Sequence, residues 1–216
     1  LVAQVLSLGI ELRKKMIFEL LCKILRENGE EIKGLYERND VKIRLLEGME
    51  EYTGFYPLEG FIEGSCPTET IITENGIKYH VDIAKGQKTG FFLDQKYNRQ
   101  AVARISKSKK VLDCFTHTGA FALNAARGGA VSVTAVDISA DAVAMTVANA
   151  KLNGLENKVQ ALEANVFDLL TQLDDKNSHD YDFIILDPPA FTKSSSTVAN
   201  ALRGYKEINL KAMKLL

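Results

Sequence analysis

VLDCFTHTGAF (Val111 to Phe121) and FIILDPPAF (Phe183 to Phe191) are the two stretches that decide how this chain folds. Each runs an apolar strand into a loop that an aspartate opens. In the first, Val111 to Phe115 reads as a buried strand, and Gly119 is the one residue without a Cβ ahead of an Ala-rich helix. A ligand chain could therefore cross close to the backbone there. In the second, Asp187 stands where a strand of parallel type ends, and Pro188 and Pro189 fix the loop that follows. A carboxylate and rigid carbonyls are thus expected at the edge where open α/β sheets bind their ligands.

Working outward from these stretches, strand-like runs at Val111, Val131, Val159 and Phe183 alternate with helices that begin near Ala120, Ala140 and Val166, with a last one around Ala199. Repeated strand and helix predicts an α/β fold with a parallel sheet and right-handed crossovers. A helix over Gln95 to Ser106 precedes the first of these strands. Before Lys85 the pattern differs. A short strand (Val2 to Leu6) leads to an amphipathic helix through Met16, Leu20, Leu21, Ile24 and Leu25, followed by further strand-like runs. Asn75-Gly76 separates TIITE from IKYHVDI as a hairpin turn does, and Ile77, Tyr79, Val81 and Ile83 alternate with polar residues. The pattern predicts a small antiparallel α+β domain over residues 1–85 and a sheet domain over 86–216.

The 216 residues, 46% of them apolar, suffice for one large core or two smaller ones. With 27 basic and 28 acidic side chains the formal charge is −1, so attraction to nucleic acid would need a local basic face. Lys107, Lys109, Lys110 and Arg13 to Lys15 could supply one, and each group also suits an ordinary solvated surface. Cys22, Cys66 and Cys114 are an odd number without metal-ligand spacing, as expected of reduced thiols in a cytoplasm. That spacing gives no expectation of a metal, and no apolar run is long enough to span a bilayer, so no membrane is expected as a partner.

Asp137 closes the run VSVTAVD, 18 positions after Gly119 (137 minus 119). A carboxylate there can take both hydroxyls of an adenosine ribose, or it can simply support the start of the next helix, whose N-cap is Ser139. A nicotinamide dinucleotide would fit the same skeleton, but its fingerprint wants three glycines and THTGAF offers one. A nucleoside cofactor without phosphate, S-adenosylmethionine, is the better match. Asn165, Val166 and Phe167 follow the third strand, where Asn165 could bond the adenine edge and Val166 or Phe167 could pack on its face. Equally, Asn165 could cap a helix and Phe167 belong to the core. The order of Gly119, Asp137, Asn165 and Asp187, each at a strand end, raises all four together.

GQKTGFFLDQKYNR (Gly86 to Arg99), VLDCFTHTGAFALNAA, DFIILDPPAF and RGYKEINL (Arg203 to Leu210) together resemble the ribosomal RNA large-subunit 5-methylcytosine methyltransferase family. The opening LVAQVLSLGIE, NDVKIRLLEGME and IKYHVDI resemble the small α/β domain that in this family lies between an RNA-binding PUA domain and the catalytic domain. The resemblance implies a class I methyltransferase sheet, incomplete at its C-terminus. It also implies that Phe115, Thr116, Thr118 and Gly119 hold the methionine part of S-adenosylmethionine, Asp137 and Ile138 the ribose, and Asn165, Val166 and Phe167 the adenine. Thr89, Gln95 and Arg99 would border the methionine end or the RNA, or else be polar residues that start a helix. Family members often carry Asp where this chain has Asn165, and Arg then Asp or Glu where it has Lys96 and Tyr97.

The chemistry implied is a methyl transfer to carbon 5 of an unpaired or flipped cytosine in ribosomal RNA, after a thiolate adds at carbon 6. Asp187 would hold the base at ring nitrogen 3. The family's thiol lies in a Ser-Cys-Ser segment beyond the helix that follows DPPAF, so it and the PUA domain are expected outside these 216 residues. Cys114, inside the first strand, is expected to be a buried small side chain. Thr192, Lys193 and Ser194 to Ser196 would form a loop over RNA phosphate or a plain linker. Two other readings use the same residues: methylation of another base position or exocyclic amine, which needs no thiol, and a non-catalytic module that binds RNA or cofactor. An uncovered sheet edge makes a homo-oligomer possible.

Overall fold

The structure is a computed structural model that describes residues 1–58, 66–192 and 195–216. The chain divides into two compact units, one of residues Leu1–Ile71 and Val81–Leu93, the other of Ile72–His80 and Asp94–Leu216. The division does not follow a single cut, because the tip of a hairpin belongs to the second unit.

In the first unit, β1 (Val2–Ala3) is followed by α1 (Leu8–Glu11), α2 (Lys14–Glu27), β2 (Tyr36–Asn39), α3 (Ile43–Leu46) and β3 (Tyr52–Phe55). The sheet order is β1-β2-β3, and here one expectation is corrected. β1 pairs with β2 in parallel, through Val2 with Tyr36, and only β2 with β3 is antiparallel. The long connection through α1 and α2 makes the parallel pairing possible, as a two-residue turn could not. Val5, Phe18, Cys22, Leu35 and Leu58 form the core. All four residues of β2 are buried although three are polar. Glu37 accepts from Tyr52 Oη at 2.7 Å and Asn39 Nδ2 at 2.8 Å, and Arg38 donates to the carbonyls of Ile83 and Gly86 at 2.9 and 2.8 Å. Satisfied partners are what allow such a strand to be buried.

β4 (Glu69–Glu74) and β5 (Ile77–Asp82) form the expected two-stranded hairpin, with Asn75 and Gly76 at φ 54° and 75°. Two successive positive φ values are the type I′ turn that the Asn-Gly pair favours. The outer edge of β5 is covered by side chains of a helix in the second unit. Asn149 and Asn153, four apart, accept the N–H groups of His80 and Lys78, each at 2.8 Å. Two asparagines spaced one helical turn apart thus meet alternate strand N–H groups, which otherwise would form an open edge.

The second unit continues with α4 (Lys96–Ile105), β6 (Lys110–Cys114), α5 (Ala120–Arg127), β7 (Ser132–Asp137), α6 (Ala140–Leu152), β8 (Val159–Glu163), α7 (Val166–Asp175), β9 (Phe183–Leu186) and α8 (Val198–Lys214). The four strands are all parallel in the order β8-β7-β6-β9, as the alternation of strand and helix requires. Side chains alternate between the two faces of β6. Leu112 and Cys114 join Val136, Val166, Leu170, Ile208 and Leu215 in a core beneath α7 and α8. Asp113, on the other face, meets the start of α5. Because the chain runs outward from β6 in both directions, its carboxyl end is a switch point of the sheet, where ligands bind.

α4 and α5 approach so closely that a Cβ on Gly128 would lie 2.0 Å from the carbonyl oxygen of Ala103. That neighbour is backbone and cannot swing aside. Gly128→Ala should therefore destabilise the second unit by about 2–3 kcal/mol, the upper range of overpacking, as read by chemical denaturation.

Candidate functional site

β6 ends between β7 and β9, and the in-register pairs Cys114 with Val136 and Cys114 with Leu186 put Asp137 and Asp187 one step beyond it on either side. Two strand spacings separate those aspartates' strands, roughly 10 Å. The loop between them is bent. Phe115, His117 and Gly119 adopt φ of 63°, 52° and 79°. Left-handed conformation costs a non-glycine residue about 1 kcal/mol or more, so Phe115 and His117 are held by their surroundings.

The holding groups are specific. Asp113 is 1% exposed and accepts from Thr116 Oγ1 at 2.6 Å and Ala122 N at 2.9 Å, tying the loop's start to the start of α5. Asp113 thus lies within the strand and organises the loop from beneath, where the sequence had suggested an aspartate at the loop's opening. Asp137 accepts His117 N on one oxygen at 2.9 Å and Ser139 N on the other at 3.0 Å. From α6, Thr146 Oγ1 reaches the carbonyl of His117 at 3.2 Å and Asn149 Nδ2 donates to that of Thr118 at 3.0 Å. Thr146 and Asn149 are not evident from the sequence, and their one signal there is two polar residues three apart in an otherwise Ala- and Val-rich helix.

Burial pushes the Asp113 carboxyl up from 3.8 to about 7, opposed by the Thr116 and Ala122 bonds and reinforced by Asp187 and Asp137. A carboxyl whose folded pKa is raised binds more protons in the folded state between its two pKa values. Its contribution to stability is present at about pH 4 and is lost as pH rises through 7. Thermal melting from pH 5 to 8 should show the parent chain losing stability on this account by an amount on the order of a few kcal/mol. Asp113→Asn should flatten that slope.

Other expected site residues fall into place unequally. Ile138, at the end of β7, is 69% exposed, and Asn165 is exposed at the start of α7. Asn165 caps that helix, its Oδ1 accepting Phe167 N at 2.9 Å. Val166 is corrected: it is 3% exposed and packs into the sheet core, so its side chain is turned from any adenine. Phe167 joins Phe191 at 5.5 Å between ring centroids, and Phe191 also meets Phe115 at 6.4 Å and Tyr205 at 4.4 Å. Tyr205 Oη accepts Phe191 N at 3.3 Å and reaches the Pro189 carbonyl at 3.5 Å, fixing the loop after Asp187 from α8. Gly119 is corrected in its reason. A Cβ there would lie 2.7 Å from Thr146 Cγ2, so the glycine makes room for α6 and for its positive φ.

Arg99 is also corrected. It is 2% exposed, with Nε and Nη2 donating to the two oxygens of Glu74 at 2.6 and 2.9 Å, so its guanidinium is committed to a buried ion pair. Gln95 accepts Asn98 Nδ2 at 2.6 Å at the start of α4, the local role of a residue that begins a helix. Thr89 is half-buried and belongs to the first unit. Asp187 is exposed as a residue, yet partial desolvation and the like charge of Asp94 raise its carboxyl above the usual range, against the pull of Arg99. Cys114 is wholly buried, which pushes its thiol up. Lys193 and Ser194 lie outside the described residues. Among those described, no group of His, Cys, Asp and Glu is arranged to hold a metal, and no helix is long and apolar enough to cross a membrane.

Residues 59–215 match the model of the S-adenosylmethionine-dependent methyltransferases. The chain belongs to that family. A relative from Aeromonas salmonicida named ribosomal RNA large subunit methyltransferase I is 44% identical over 218 residues, which cover 100% of this chain and 52% of the relative. The chain thus spans about half the length of the curated relatives it matches. Among solved structures, a proposed S-adenosylmethionine-dependent methyltransferase from Streptococcus mutans is 25% identical with a TM-score of 0.68, over 93% of this chain and 50% of that one. A second, of a proposed methyltransferase in complex with SAH, is 27% identical with a TM-score of 0.66, over 91% of this chain and 50% of that one.

S-adenosylmethionine is the cofactor of this methyltransferase family, and the residues present suit it. Each oxygen of Asp137 uses one lone pair on a backbone N–H and keeps another for a ligand hydroxyl. Beside it, the exposed Ile138 offers an apolar surface to a nucleobase. The double-Pro loop with Asp187 opens the other side of the same sheet edge.

Proposed function

We propose that this chain is the cofactor-binding and base-orienting part of an RNA methyltransferase that forms 5-methylcytosine in large-subunit ribosomal RNA. The observation that carries the cofactor half is the placing of Asp137, Ile138 and Asn165 at the ends of β7 and β8, beside a loop with two non-glycine residues at positive φ. In this reading Asp137 takes the ribose hydroxyls and Ile138 packs on the adenine. Asn165 Oδ1 accepts Phe167 N on one lone pair, which leaves its second lone pair to accept the adenine amino group or its amide nitrogen to donate to an adenine ring nitrogen. Phe115, Thr116, Thr118 and Gly119 border the methionine part through their backbone.

Bound S-adenosylmethionine supplies a methyl group on a sulfonium centre. Asp187, with its raised carboxyl pKa, shares a proton with ring nitrogen 3 of the cytosine while a thiolate adds at carbon 6. The added methyl replaces the carbon 5 proton, and expulsion of the thiolate restores the ring. None of this chain's cysteines suits that attack. Cys114 and Cys22 are buried, burial pushing the Cys114 thiol up, and the sequence around Cys66, from Tyr56 to Asn75, carries no basic residue to activate a thiol. The thiolate in this proposal comes from sequence outside these 216 residues. An exocyclic amine as acceptor would use the Asp-Pro-Pro carbonyls and no thiol, and it is the second reading of the same residues. The name of the Aeromonas salmonicida relative supports ribosomal RNA as the substrate, which would place the reaction in the cytoplasm.

RNA labelled with tritium at carbon 5 of cytosine tests the reading, because methylation there must release the label. The 216-residue chain is expected to bind SAH and to release no tritium. A polypeptide that also carries the thiol-bearing segment is expected to release it as methyl is incorporated. Methylation with the label retained would mean another position; release by the 216-residue chain itself would overturn the assignment of the thiolate.

A further inference from the structure

α2 buries Phe18 and Cys22 in the core of the first unit, at 4% and 3% exposure. Its opposite side is also apolar. Met16, Leu20 and Ile24, spaced four apart, stand 53%, 50% and 53% exposed. Each step of four advances about 40° around a helix, so the three form one continuous ridge of the kind that packs between helices. Alongside that ridge runs a second row, Lys15, Glu19, Lys23 and Glu27, all exposed and alternating in sign from the N-terminal end. Along this row Lys23 meets Glu27 of its own helix only loosely, at 3.9 Å.

We propose that this ridge is an interface with a second copy of the same chain, the two α2 helices packed antiparallel about a two-fold axis near Leu20. The charge row identifies the occupant and its direction. In an antiparallel helix pair the same flank of each helix faces the other. A row reading plus, minus, plus, minus meets its own reverse as minus, plus, minus, plus. Lys15 then faces Glu27 of the second copy and Glu19 faces Lys23 of the second copy, giving four opposite-charge pairs around the apolar ridge. A parallel pair would set the charged row against the other flank, where Ile17 and Leu21 stand, and leave those charges unmatched. Such rim pairs contribute little affinity each but fix orientation, while the apolar ridge supplies the buried area. This inference is independent of the cofactor site, which lies in the other unit.

Light scattering and sedimentation of the 216-residue chain, at concentrations up to about 100 µM, should show a mass approaching twice 23.9 kDa. Leu20→Glu, which sets two carboxylates against each other at the axis, should return the mass to that of one chain. Glu19→Lys should weaken association by about tenfold or more. Adding Lys23→Glu to it restores opposite pairs across the axis and should recover the dimer, a rescue that a purely structural role of these residues would not give. Circular dichroism melts of each variant check that the helix is retained. A parent mass of one chain throughout, a dimer indifferent to Leu20→Glu, or failure of the double charge swap to rescue would each overturn the proposal.

Discussion

Arg99→Ala is expected to lower the melting temperature of the second unit by roughly 10–20 °C, well beyond the effect of an ordinary surface substitution. Its guanidinium and the Glu74 carboxylate are both buried, at 2% and 7% exposure, and joined by two parallel bonds. Truncating one partner leaves a buried charge with nothing to offset its desolvation, at about 3–5 kcal/mol. Folded domains have only about 5–15 kcal/mol in all. The pair itself is not what stabilises the unit, however, since its attraction largely offsets the cost of withdrawing both ions from water. Arg99→Met with Glu74→Leu should therefore recover most of the loss, whereas Arg99→Lys, which cannot form the fork, should not. Circular dichroism melts of the parent and these variants check the series. Because Arg99 also holds down the pKa of Asp187, its loss should move the Asp187 titration upward.

Asp137→Ala is expected to weaken binding of S-adenosylmethionine and SAH by two to three powers of ten, roughly 3–4 kcal/mol. Two losses combine. The proposed ribose hydroxyls lose charged acceptors, and the N–H groups of His117 and Ser139 lose theirs, so the bent loop is released from the end of β7. Asp137→Asn separates the two: its one carbonyl oxygen can keep a single backbone bond, and its amide nitrogen offers a donor where an acceptor is required. An intermediate affinity is expected, read by isothermal titration calorimetry. Equal affinity of all three proteins would remove Asp137 from the site.

Much of the fold is legible in the sequence because the signals are local. The helix read over Gln95 to Ser106 is Lys96–Ile105 in the structure, and Ser139 and Asn165 cap the helices that follow them. Asn75-Gly76 makes its turn because only such a pair adopts two positive φ values at small cost. What the sequence hid is decided between residues far apart. Arg99 reads in the sequence as a residue at the methionine end or the RNA, or as a polar helix start, and its partner Glu74 lies 25 positions away. Gly119 reads as a close approach for a ligand chain, and the place its Cβ would take is filled by Thr146 of α6. Val166 and Phe167 are adjacent, and only the helix start shows that Val166 turns fully into the core while Phe167 packs at its edge. The polar strand β2 is buried because Tyr52 and Asn39 converge on Glu37, and no periodicity encodes that convergence.

If the carboxyl edge of β6, β7 and β8 receives the cofactor, the backbone amides that line it must sense SAH. Amide spectra of isotopically labelled chain, recorded as SAH is added, test this most directly. Saturable shifts concentrated at Phe115 to Gly119, Asp137 to Ser139 and Asn165 to Phe167 are the expected result. Shifts gathered elsewhere, or none at saturating SAH, would contradict it.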